Sequence, residues 1–341
     1  MAQKSYLDLK AEVWDTGKCS GCGACVAVCP ADAISFKLGE MVTSPVSTGY
    51  CKQATDNVPC GACYAVCPRA AADQPSETLG NYLELLSAKA AFEIPRRQSG
   101  GAVTAILANA LDERLIDAVV TVTEDRWTLR PSSVVIMRSD VLIQQAGSRY
   151  SWWVPLLSAL KYAIVERKFK KIAVVGVPCA VQAVDRMRKS DNDLLKPYAK
   201  AIRLVIGLFC TETFDYTTLI EGKLRSHYKL EPHEIRKLDV KGKLEILKQD
   251  GTTTIVPLAE LESCIRNGCH FCTDLTAVRA DLSAGAIGSP RGATTLIIRT
   301  PTGKGMVDSA VQHQRLIIAA GIDKEAIEKL AVSKIKKNSG K

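Results

Sequence analysis

Beyond residue 75, apolar residues recur along the chain with two different periods, one typical of helices and one typical of buried strands. The predicted helices span 99–115, 154–167 and 180–188, and Ser99 is the candidate N-cap of the first. The predicted strands are the apolar runs 118–122, 133–137, 172–177, 204–209 and 294–299. Helices that alternate with strands indicate an α/β layer with a partly parallel sheet.

Residues 235–257 depart from this alternation. Three short apolar segments are separated there by Lys241-Gly242-Lys243 and Gln249-Asp250-Gly251, which are typical turn sequences. The pattern predicts an antiparallel meander. The chain ends in a helical region followed by the lysine-rich segment Lys334–Lys341, which we expect to be a frayed, solvated end.

The first 75 residues have another composition, rich in Cys, Gly and Pro, and hold eight of the 13 cysteines in the 341-residue chain. We therefore predict two domains, residues 1–75 and 76–341. The net charge of +9 favours anionic partners without choosing among them. No secretory signal precedes the cysteines, and no apolar run approaches the roughly 18 residues of a membrane span. We expect a cytoplasmic protein whose thiols bind metal instead of forming disulfides.

Four cysteines form one run, which reads Cys19-Ser-Gly-Cys22-Gly-Ala-Cys25-Val-Ala-Val-Cys29-Pro30. The run matches C-x2-C-x2-C-x3-C-P, the spacing with which bacterial ferredoxins bind 4Fe-4S clusters. Glycines between the cysteines let the loop fold tightly, so that three thiolates converge on one cluster. In this motif the fourth cysteine binds the other cluster of a two-cluster domain.

A second run follows as Cys60-Gly-Ala-Cys63-Tyr-Ala-Val-Cys67-Pro68, with Cys51 upstream at a spacing longer than the usual two residues. The cross-over rule assigns the first cluster to Cys19, Cys22, Cys25 and Cys67, and the second to Cys29, Cys51, Cys60 and Cys63. Zinc knuckles are the competing interpretation, but they need paired C-x2-C units and give no role to C-x3-C-P. The segment is therefore predicted to be a two-cluster, bacterial-type ferredoxin domain.

The second domain contains five further cysteines, namely Cys179, Cys210, Cys264, Cys269 and Cys272. Cys179 and Cys210 each follow the carboxyl end of a predicted strand, and ligands collect at that edge of an open α/β sheet. The other three read C-x4-C-x2-C in a loop after the meander. Two cysteines at one sheet edge together with a C-x2-C pair predict a third metal site.

Several segments of the second domain together resemble one known family. They are Ser99-Gly-Gly-Ala-Val-Thr104, Gly147-Ser-Arg-Tyr150, Val175-Gly-Val-Pro-Cys179, Cys269-x2-Cys272-x-Asp274, Ala280-Asp-Leu-Ser283-x-Gly285 and Gly288-Ser-Pro290. Their order and spacing, over roughly residues 75–300, resemble the beta subunit of coenzyme F420-reducing hydrogenase and its relatives in formate dehydrogenase and F420H2 dehydrogenase. Because a two-cluster domain precedes them, the chain is most similar to the F420H2 dehydrogenase input subunits of methanogenic archaea.

The resemblance implies an iron–sulfur flavoenzyme of archaeal methanogenesis that contains FAD and has coenzyme F420 as its substrate. Hydride passes between F420 and FAD, and single electrons then pass through 4Fe-4S clusters to a redox partner protein or a membrane-bound respiratory complex. A flavin suits this task because a deazaflavin gives up two electrons as hydride, whereas a cluster takes one at a time. The family also implies a third 4Fe-4S cluster, assigned here to Cys179, Cys210, Cys269 and Cys272, with Cys264 as the alternate.

Two segments supply the candidate FAD contacts. Ser99, Gly100, Gly101 and Thr104 stand at a helix start, whose free amides suit a pyrophosphate, although Gly-Gly equally lets the chain turn into a helix. Ser148, Arg149 and Tyr150 offer hydroxyl and guanidinium groups to the flavin ring or phosphates, with a surface position as the alternative for Arg149. No G-x-G-x-x-G follows a predicted strand, so a Rossmann site has no support. Candidates for holding the acidic F420 tail are Arg96, Arg97, Arg126 and Arg130.

Two other functions compete with F420H2 oxidation. The first is a ferredoxin-dependent flavin reductase that acts on another substrate, with electrons running inward to FAD. The second is a non-catalytic polyferredoxin-type relay without flavin. The large α/β domain argues against the relay, because electron relay alone needs no such domain.

Overall fold

The computed structural model describes residues 4–37, 44–70 and 75–339. The α-helices are α1 (Tyr6–Leu9), α2 (Ala24–Val28), α3 (Lys52–Asp56), α4 (Ala62–Val66), α5 (Ala102–Asp112), α6 (Ser139–Gln144), α7 (Ala159–Lys161), α8 (Pro178–Lys189), α9 (Lys196–Ala201), α10 (Pro301–Gln312) and α11 (Lys324–Asn338). Short 3-10 segments span Leu156–Ser158, Asp193–Leu195, Pro232–Glu234, Leu258–Cys264 and Asn267–Phe271, and π-helical segments span Lys10–Trp14, Tyr162–Glu166 and Thr217–His227.

The strands are β1 (Ile34–Ser35), β2 (Val46–Ser47), β3 (Glu84–Ala90), β4 (Ala118–Glu124), β5 (Pro131–Ile136), β6 (Ser151–Trp152), β7 (Ile172–Gly176), β8 (Ile202–Leu208), β9 (Phe214–Asp215), β10 (Ile235–Val240), β11 (Lys243–Lys248), β12 (Thr253–Pro257), β13 (Leu282–Gly285), β14 (Thr294–Ile298) and β15 (Leu316–Ala319). Eight of them form the main sheet, in the order β15-β3-β14-β13-β8-β7-β4-β5. Its centre is parallel, and antiparallel pairs flank it on both sides. The partly parallel sheet is thus confirmed.

The main sheet is covered on both faces, as its parallel centre requires. Helices α5 and α10 contribute to one hydrophobic core, together with strand residues such as Leu204 and Leu282. Helix α8 contributes to a second core, which includes Ile172 and Val174 of β7. Because Cys179 lies in α8 directly after β7, and Cys210 lies just beyond β8, both thiols belong to the carboxyl-end edge of the sheet.

The start of α5 differs from the sequence prediction. Gly101, with a φ of +71°, is the N-cap residue, and the helix begins at Ala102 instead of at Ser99. The hydroxyl of Ser99 is hydrogen-bonded to the hydroxyl of Thr294 at 3.0 Å. A Cβ atom at Gly100 would lie 2.5 Å from the carbonyl oxygen of Ala88, so the close approach to the sheet requires glycine there.

Residues 235–257 form a separate three-stranded sheet in which β11 pairs antiparallel with both β10 and β12. Its apolar face packs into a third hydrophobic core through Leu244, Ile246 and Val256. The same core contains the π-helical segment Thr217–His227 and Leu261. This small sheet therefore stands beside the main sheet as a subdomain.

The cysteine-rich N-terminal segment packs directly on the α/β part. Ala24, Ala27 and Ala62 belong to the same hydrophobic core as Leu157 and Val181. Hydrogen bonds cross this boundary as well. The Tyr198 hydroxyl donates to the Ala27 carbonyl at 2.7 Å, the Leu157 amide to the Cys22 carbonyl at 2.9 Å, and the Lys161 ammonium to the Cys29 carbonyl at 2.7 Å. The two predicted domains thus share one of their hydrophobic cores, although the N-terminal segment also has a core of its own around Leu9, Val13 and Trp14.

In the described ranges, no helix combines the length and apolar character that crossing a membrane requires.

An alanine substitution at Leu157 tests the shared core. Leu157 is fully buried, so we expect Leu157→Ala to lower the free energy of unfolding by about 2–5 kcal/mol. Urea unfolding followed by tryptophan fluorescence measures the loss. Leu7 is half exposed and supplies the control, for which Leu7→Ala should change stability by at most about 0.5 kcal/mol. Two separate transitions, with only one of them shifted by Leu157→Ala, would contradict a shared core.

Candidate functional site

The first cysteine group comes from the loop before α2 and the end of α4. Gly21 and Gly23 adopt left-handed conformations with φ of +71° and +82°, which turns the loop back on itself. Burial raises the pKa of Cys25 well above its usual value, and the neighbouring thiols of Cys19, Cys22 and Cys67 raise it further. Residues 19, 22, 25 and 67 therefore surround one point in the interior.

The second group consists of Cys29, Cys51, Cys60 and Cys63. Burial raises the pKa of Cys63 to about 12, with further increases from Cys60, Cys29 and Cys51. All four line one cavity of about 370 Å³, part of it open to solvent. The two sets of four thiols that lie close together in the structure are thus the same two sets that the cross-over rule assigns.

The third group lies at the carboxyl-end edge of the main sheet. Cys179 is the second residue of α8, and Cys210 follows β8. Cys269 lies in the 3-10 segment Asn267–Phe271, and Cys272 lies just after it. After the effect of burial, the nearby thiols of Cys269 and Cys272 raise the pKa of Cys210 further. The thiols of Cys272 and Cys210 do the same for Cys179. These four thiols therefore form one buried group.

Cys264 lies apart from that group. It is buried in the core of the small sheet, where its thiol has Thr218, Ser263 and Lys223 as neighbours. Its burial is that of a small apolar core residue. The structure brings together residues 179, 210, 269 and 272 and leaves Cys264 outside.

Three buried cations surround the third group: Arg69, Arg266 and Lys334. Burial alone would raise the pKa of the Cys272 thiol, but Lys334 and Arg69 together lower it below its usual value. For Cys179, Cys210 and Cys269, burial prevails and their pKa values lie above the usual range. Lys334 and Arg69 thus act most strongly on Cys272, while Arg266 acts on Cys269.

The three groups adjoin one another. Cys63 of the second group is a Coulombic neighbour of Cys25 in the first. Cys22 of the first group is a neighbour of Cys179 in the third. The Arg69 guanidinium lies near both the first and the third group. Burial raises the pKa values of Cys19 and Cys22, Arg69 offsets part of that rise, and Arg69 is itself hydrogen-bonded to Cys272. The thiols form a continuous series through the interior.

A second cavity, of about 460 Å³ including open space, lies between the main sheet and the small sheet. It is lined by Arg96, Gln98, Glu124, Leu129, residues 146–151 and residues 235–238. The predicted residues Ser148, Arg149 and Tyr150 therefore lie together on its wall.

Arg149 is the buried cation of this cavity. Its Nε lies 3.6 Å from the Glu124 carboxylate and donates no hydrogen bond within the described part of the chain. Burial raises the pKa of Glu124, whereas Arg149 and Arg96 lower it less strongly. The Tyr150 hydroxyl accepts a hydrogen bond from Gln98 at 3.0 Å, and burial raises the pKa of Tyr150 to about 12. The Arg149 Nη1 donates to the Gly147 carbonyl, so within the cavity it is the buried Nε that lacks a hydrogen-bond acceptor.

One short segment joins this cavity to the cysteine groups. Residues 148–151 line the cavity, and the next residue, Trp152, donates from its indole Nε1 to the Gly21 carbonyl at 2.9 Å. The Arg266 guanidinium stacks on the Trp152 ring, 3.7 Å from its centre. Strand β6, which contains Trp152, pairs in parallel with β9, and the Thr213 amide just before β9 donates to the Cys269 thiol at 3.4 Å.

The other predicted residues fall in different surroundings. The Gly100 amide already donates to the Thr294 hydroxyl at 3.0 Å, while Thr104 lies half-buried in the first turn of α5. No described side chain caps that turn. Arg97 and Arg126 are exposed. Arg130 stacks on Trp153 at 4.4 Å and pairs with Glu221 at 3.2 Å, so its charge already has a carboxylate partner.

The expected frayed end at Lys334–Lys341 is wrong for its first half. Lys334 and Asn338 are buried against the third group, and Asn338 donates to the carbonyls of Cys269 and Cys272 at 3.2 and 2.7 Å. Gly340 and Lys341 lie outside the described residues. The signal was present in the sequence, since Ile327, Ala331, Lys334 and Asn338 are spaced along one face of a helix.

Arg69, Arg266 and Trp152 were also missed by sequence analysis. Each is close in sequence to a recognised motif, but none belongs to a repeating pattern that would have singled it out.

Within residues 4–37, 44–70 and 75–339, no three His, Cys, Asp or Glu side chains are placed to hold a single metal ion together.

Comparison with family models gives three matches. Residues 12–35 match a 4Fe-4S binding domain. Residues 85–161 match the N-terminal part, and residues 169–324 the C-terminal part, of the coenzyme F420 hydrogenase/dehydrogenase beta subunit. The N-terminal match includes Ser148–Tyr150 of the cavity, and the C-terminal match includes all four cysteines of the third group.

Individual relatives extend over nearly the whole chain. An uncharacterized protein of Methanocaldococcus jannaschii is 44% identical over 98% of both chains. A subunit of the F420H2 dehydrogenase of Methanosarcina mazei is 30% identical over 96% of this chain and 92% of its own. Among solved structures, one chain of the xenon-derivatized F420-reducing NiFe hydrogenase complex from Methanosarcina barkeri matches with a TM-score of 0.71 and 29% identity, over 78% of this chain and 92% of that chain.

Serine variants distinguish the third group from the separate thiol. If all three groups hold a cluster, the reconstituted protein contains about twelve iron atoms per chain. We expect Cys210→Ser to lower this to about eight, because one buried ligand is lost, and Cys264→Ser to leave it unchanged. Chemical iron determination on anaerobically reconstituted protein measures both. Iron loss in Cys264→Ser but not in Cys210→Ser would reverse the assignment.

Proposed function

The chain belongs to the family of coenzyme F420 hydrogenase/dehydrogenase beta subunits, and on that premise we propose that it is an F420H2 oxidoreductase. Its relatives include subunits of F420H2 dehydrogenase and of coenzyme F420 hydrogenase, and its own residues 12–35 match a 4Fe-4S binding domain. In the proposed reaction, hydride is exchanged between coenzyme F420 and bound FAD, and single electrons pass through 4Fe-4S clusters to a partner redox complex. Bound FAD supplies the exchange between two-electron and one-electron chemistry that this reaction needs.

The observation that carries the proposal is the segment Ser148–Trp152. Four of its residues line the cavity, and the fifth contacts the cysteine loop through Gly21. In extended chain, Tyr150 and Trp152 are about 7 Å apart. A flavin in the cavity would therefore lie close to the first and third cysteine groups, as one-electron transfer between cofactors requires.

The cavity residues fit a flavin. The Nε of Arg149 is buried without a hydrogen-bond acceptor, and a flavin oxygen or phosphate would supply one. Ser148 and the Tyr150 hydroxyl lie on the same wall. Gln98 also lines the cavity, and it lies three residues before Gly101, the N-cap residue of α5. The first turn of α5 has no side-chain cap, and the amides of Gly101 to Thr104 suit a pyrophosphate. Gly100 contributes close packing instead, because its amide is bonded to Thr294.

The cysteine groups fit 4Fe-4S clusters. Each group offers four thiols, the number that a 4Fe-4S cluster binds. Buried cations beside the third group favour the thiolate form that iron binding needs, above all at Cys272. The Cys19–Cys25 loop and the α2 amides that follow it can donate to cluster sulfurs. Cys264 has no part in this proposal.

Basic residues at the cavity mouth suit the acidic tail of F420. Arg96 lines the cavity. Burial lowers the pKa of Arg96, and repulsion from the nearby exposed Arg126 lowers it further. Lys237 and Arg236 contribute further positive charge on the opposite wall. Arg96 and Arg126 are therefore proposed to bind the tail, and Arg130 is not, because it already pairs with Glu221.

Electrons are proposed to leave from the second group. Its cavity is partly open to solvent, and Cys51 and Cys60 are less buried than Cys63. A partner redox protein, or the remaining subunits of a larger complex such as that of the F420H2 dehydrogenase relative, would dock there.

Replacing Arg149 tests the flavin site. Loss of a charge-assisted hydrogen bond costs about 1.5–3 kcal/mol, so we expect Arg149→Met to weaken FAD binding by about tenfold to a hundredfold. The dissociation constant is measured by titrating FAD into deflavinated protein and following quenching of flavin fluorescence. Arg97→Met is the matched control, because Arg97 is an exposed arginine near the same cavity that does not line it. Equal affinities in both variants would exclude Arg149 from the site.

Anaerobic stopped-flow mixing with reduced F420 tests the reaction itself. We expect the FAD-loaded protein to form oxidised F420 while the flavin absorption bleaches, and the Cys210→Ser variant to do the same in its first turnover. No reaction with FAD bound and clusters intact would reject F420H2 oxidation. A flavin that bleaches with reduced ferredoxin instead would favour the ferredoxin-dependent reductase.

A further inference from the structure

Helix α11 closes over the third cysteine group. Its buried face presents Ile327 and Ala331 and then, at the end nearest the group, Lys334 and Asn338. The family model matches residues 169–324, so almost the whole helix lies beyond the matched part. This part of the chain therefore adds a wall to the site that the shared family sequence does not describe.

Lys334 reaches the group through three contacts. Its ammonium donates to the Cys210 carbonyl at 2.6 Å and the Asp274 carbonyl at 2.7 Å, and lies 3.5 Å from the Cys272 thiol. Two of the three contacts are to cysteines of the third group, and the third is to a residue two positions beyond Cys272. The side chain is thereby fixed in one position.

The positive charge of Lys334 has no ordinary ion-pair partner in the described part of the chain. Its ammonium contacts Asp274 through the backbone carbonyl, whereas the Asp274 carboxylate accepts from Gln182 at 3.2 Å and acts on Lys334 only from farther away. A buried charge is strongly destabilised unless a counter-charge compensates it. The Cys272 sulfur is the atom of the third group's thiols in contact with it, and the thiols of Cys210 and Cys269 and the Asp274 carboxylate lie near enough to act on its charge.

Asn338 provides a natural comparison within the same helix. It donates to the carbonyls of Cys269 and Cys272, so it also holds α11 on the group, but it carries no charge. Lys336 is a lysine on the exposed side of the same turn. Lys334 therefore both contacts the third group and carries a charge, Asn338 contacts the group without a charge, and Lys336 carries a charge without contacting the group.

We propose that Lys334 is a positioning residue that fixes a positive charge against the third cluster and raises that cluster's reduction potential. The inference rests on the proposed third cluster. Adding an electron makes a thiolate-bound cluster more negative, and a buried cation a few ångströms away favours that reduced form. The cluster would thus accept electrons more readily than the same four cysteines would without α11.

The test is a potentiometric titration of the anaerobically reconstituted full chain, followed by EPR. The signal of the third cluster is the one that Cys210→Ser removes. At a fixed potential, we expect Lys334→Met to lower the ratio of reduced to oxidised third cluster at least tenfold. This corresponds to a midpoint potential lower by at least about 59 mV for a one-electron couple. Lys334→Arg keeps the charge and should shift the midpoint by less than half as much. Asn338→Ala and Lys336→Met should leave the ratio within about twofold of the unsubstituted protein.

Several outcomes overturn the inference. They are an unchanged midpoint in Lys334→Met, an equal shift in Lys334→Met and Asn338→Ala, or an equal shift in Lys334→Met and Lys334→Arg. Iron content is measured on every sample. Loss of about four iron atoms per chain in Lys334→Met alone supports the charge as a requirement for the cluster, whereas the same loss in Lys334→Arg and Asn338→Ala assigns the effect to packing and overturns it. If the unsubstituted protein itself contains only about eight, the chain has no third cluster, and the inference is overturned together with that part of the proposed function.

Discussion

The burial of thiols beside one edge of the main sheet is the constraint on which the rest of the structure depends. Desolvation raises the pKa values of Cys179, Cys210 and Cys269, to about 12 for Cys210, whereas Lys334 and Arg69 lower that of Cys272. Such a group is stable as thiolates only where positive charge or bound metal compensates it. Arg69, Arg266 and Lys334 supply that charge at the third group, and each comes from a different part of the chain. The fold is therefore organised to bring distant cations to one place.

The same requirement accounts for the tight union of the cysteine-rich segment with the α/β part. Arg69 can serve the third group only if the turn after Cys67 is pressed against Cys179 and Cys272. Shared burial of Ala27 with Leu157, together with the hydrogen bond from Tyr198 to Ala27, holds it there. A ferredoxin domain on a flexible linker could not keep its cysteines at a fixed distance from Trp152. The proposed electron path thus depends on packing as much as on the ligands.

Sequence analysis could predict those features that repeat with a fixed spacing. Apolar periods gave the central strands β4, β7, β8 and β14, and cysteine spacing led to the groupings that the structure brings together. Strands β13 and β15 were missed because four residues are too few to show a period. Lys334 was misjudged because a lysine near a chain end is usually solvated, and its burial depends on cysteines about 60 and 120 residues away. Contacts between distant segments decide such cases, and no local pattern encodes them.

The central claim is that electrons enter at the cavity lined by Arg149 and pass through the buried thiol groups. The most direct measurement is EPR of the anaerobic, FAD-loaded and reconstituted protein, before and after addition of one equivalent of F420H2. The account predicts that reduced-cluster signals appear as F420H2 is consumed, and that Arg149→Met delays them unless FAD is supplied in excess. Clusters that stay oxidised while F420H2 is consumed, or that are reduced equally well without FAD, would contradict it.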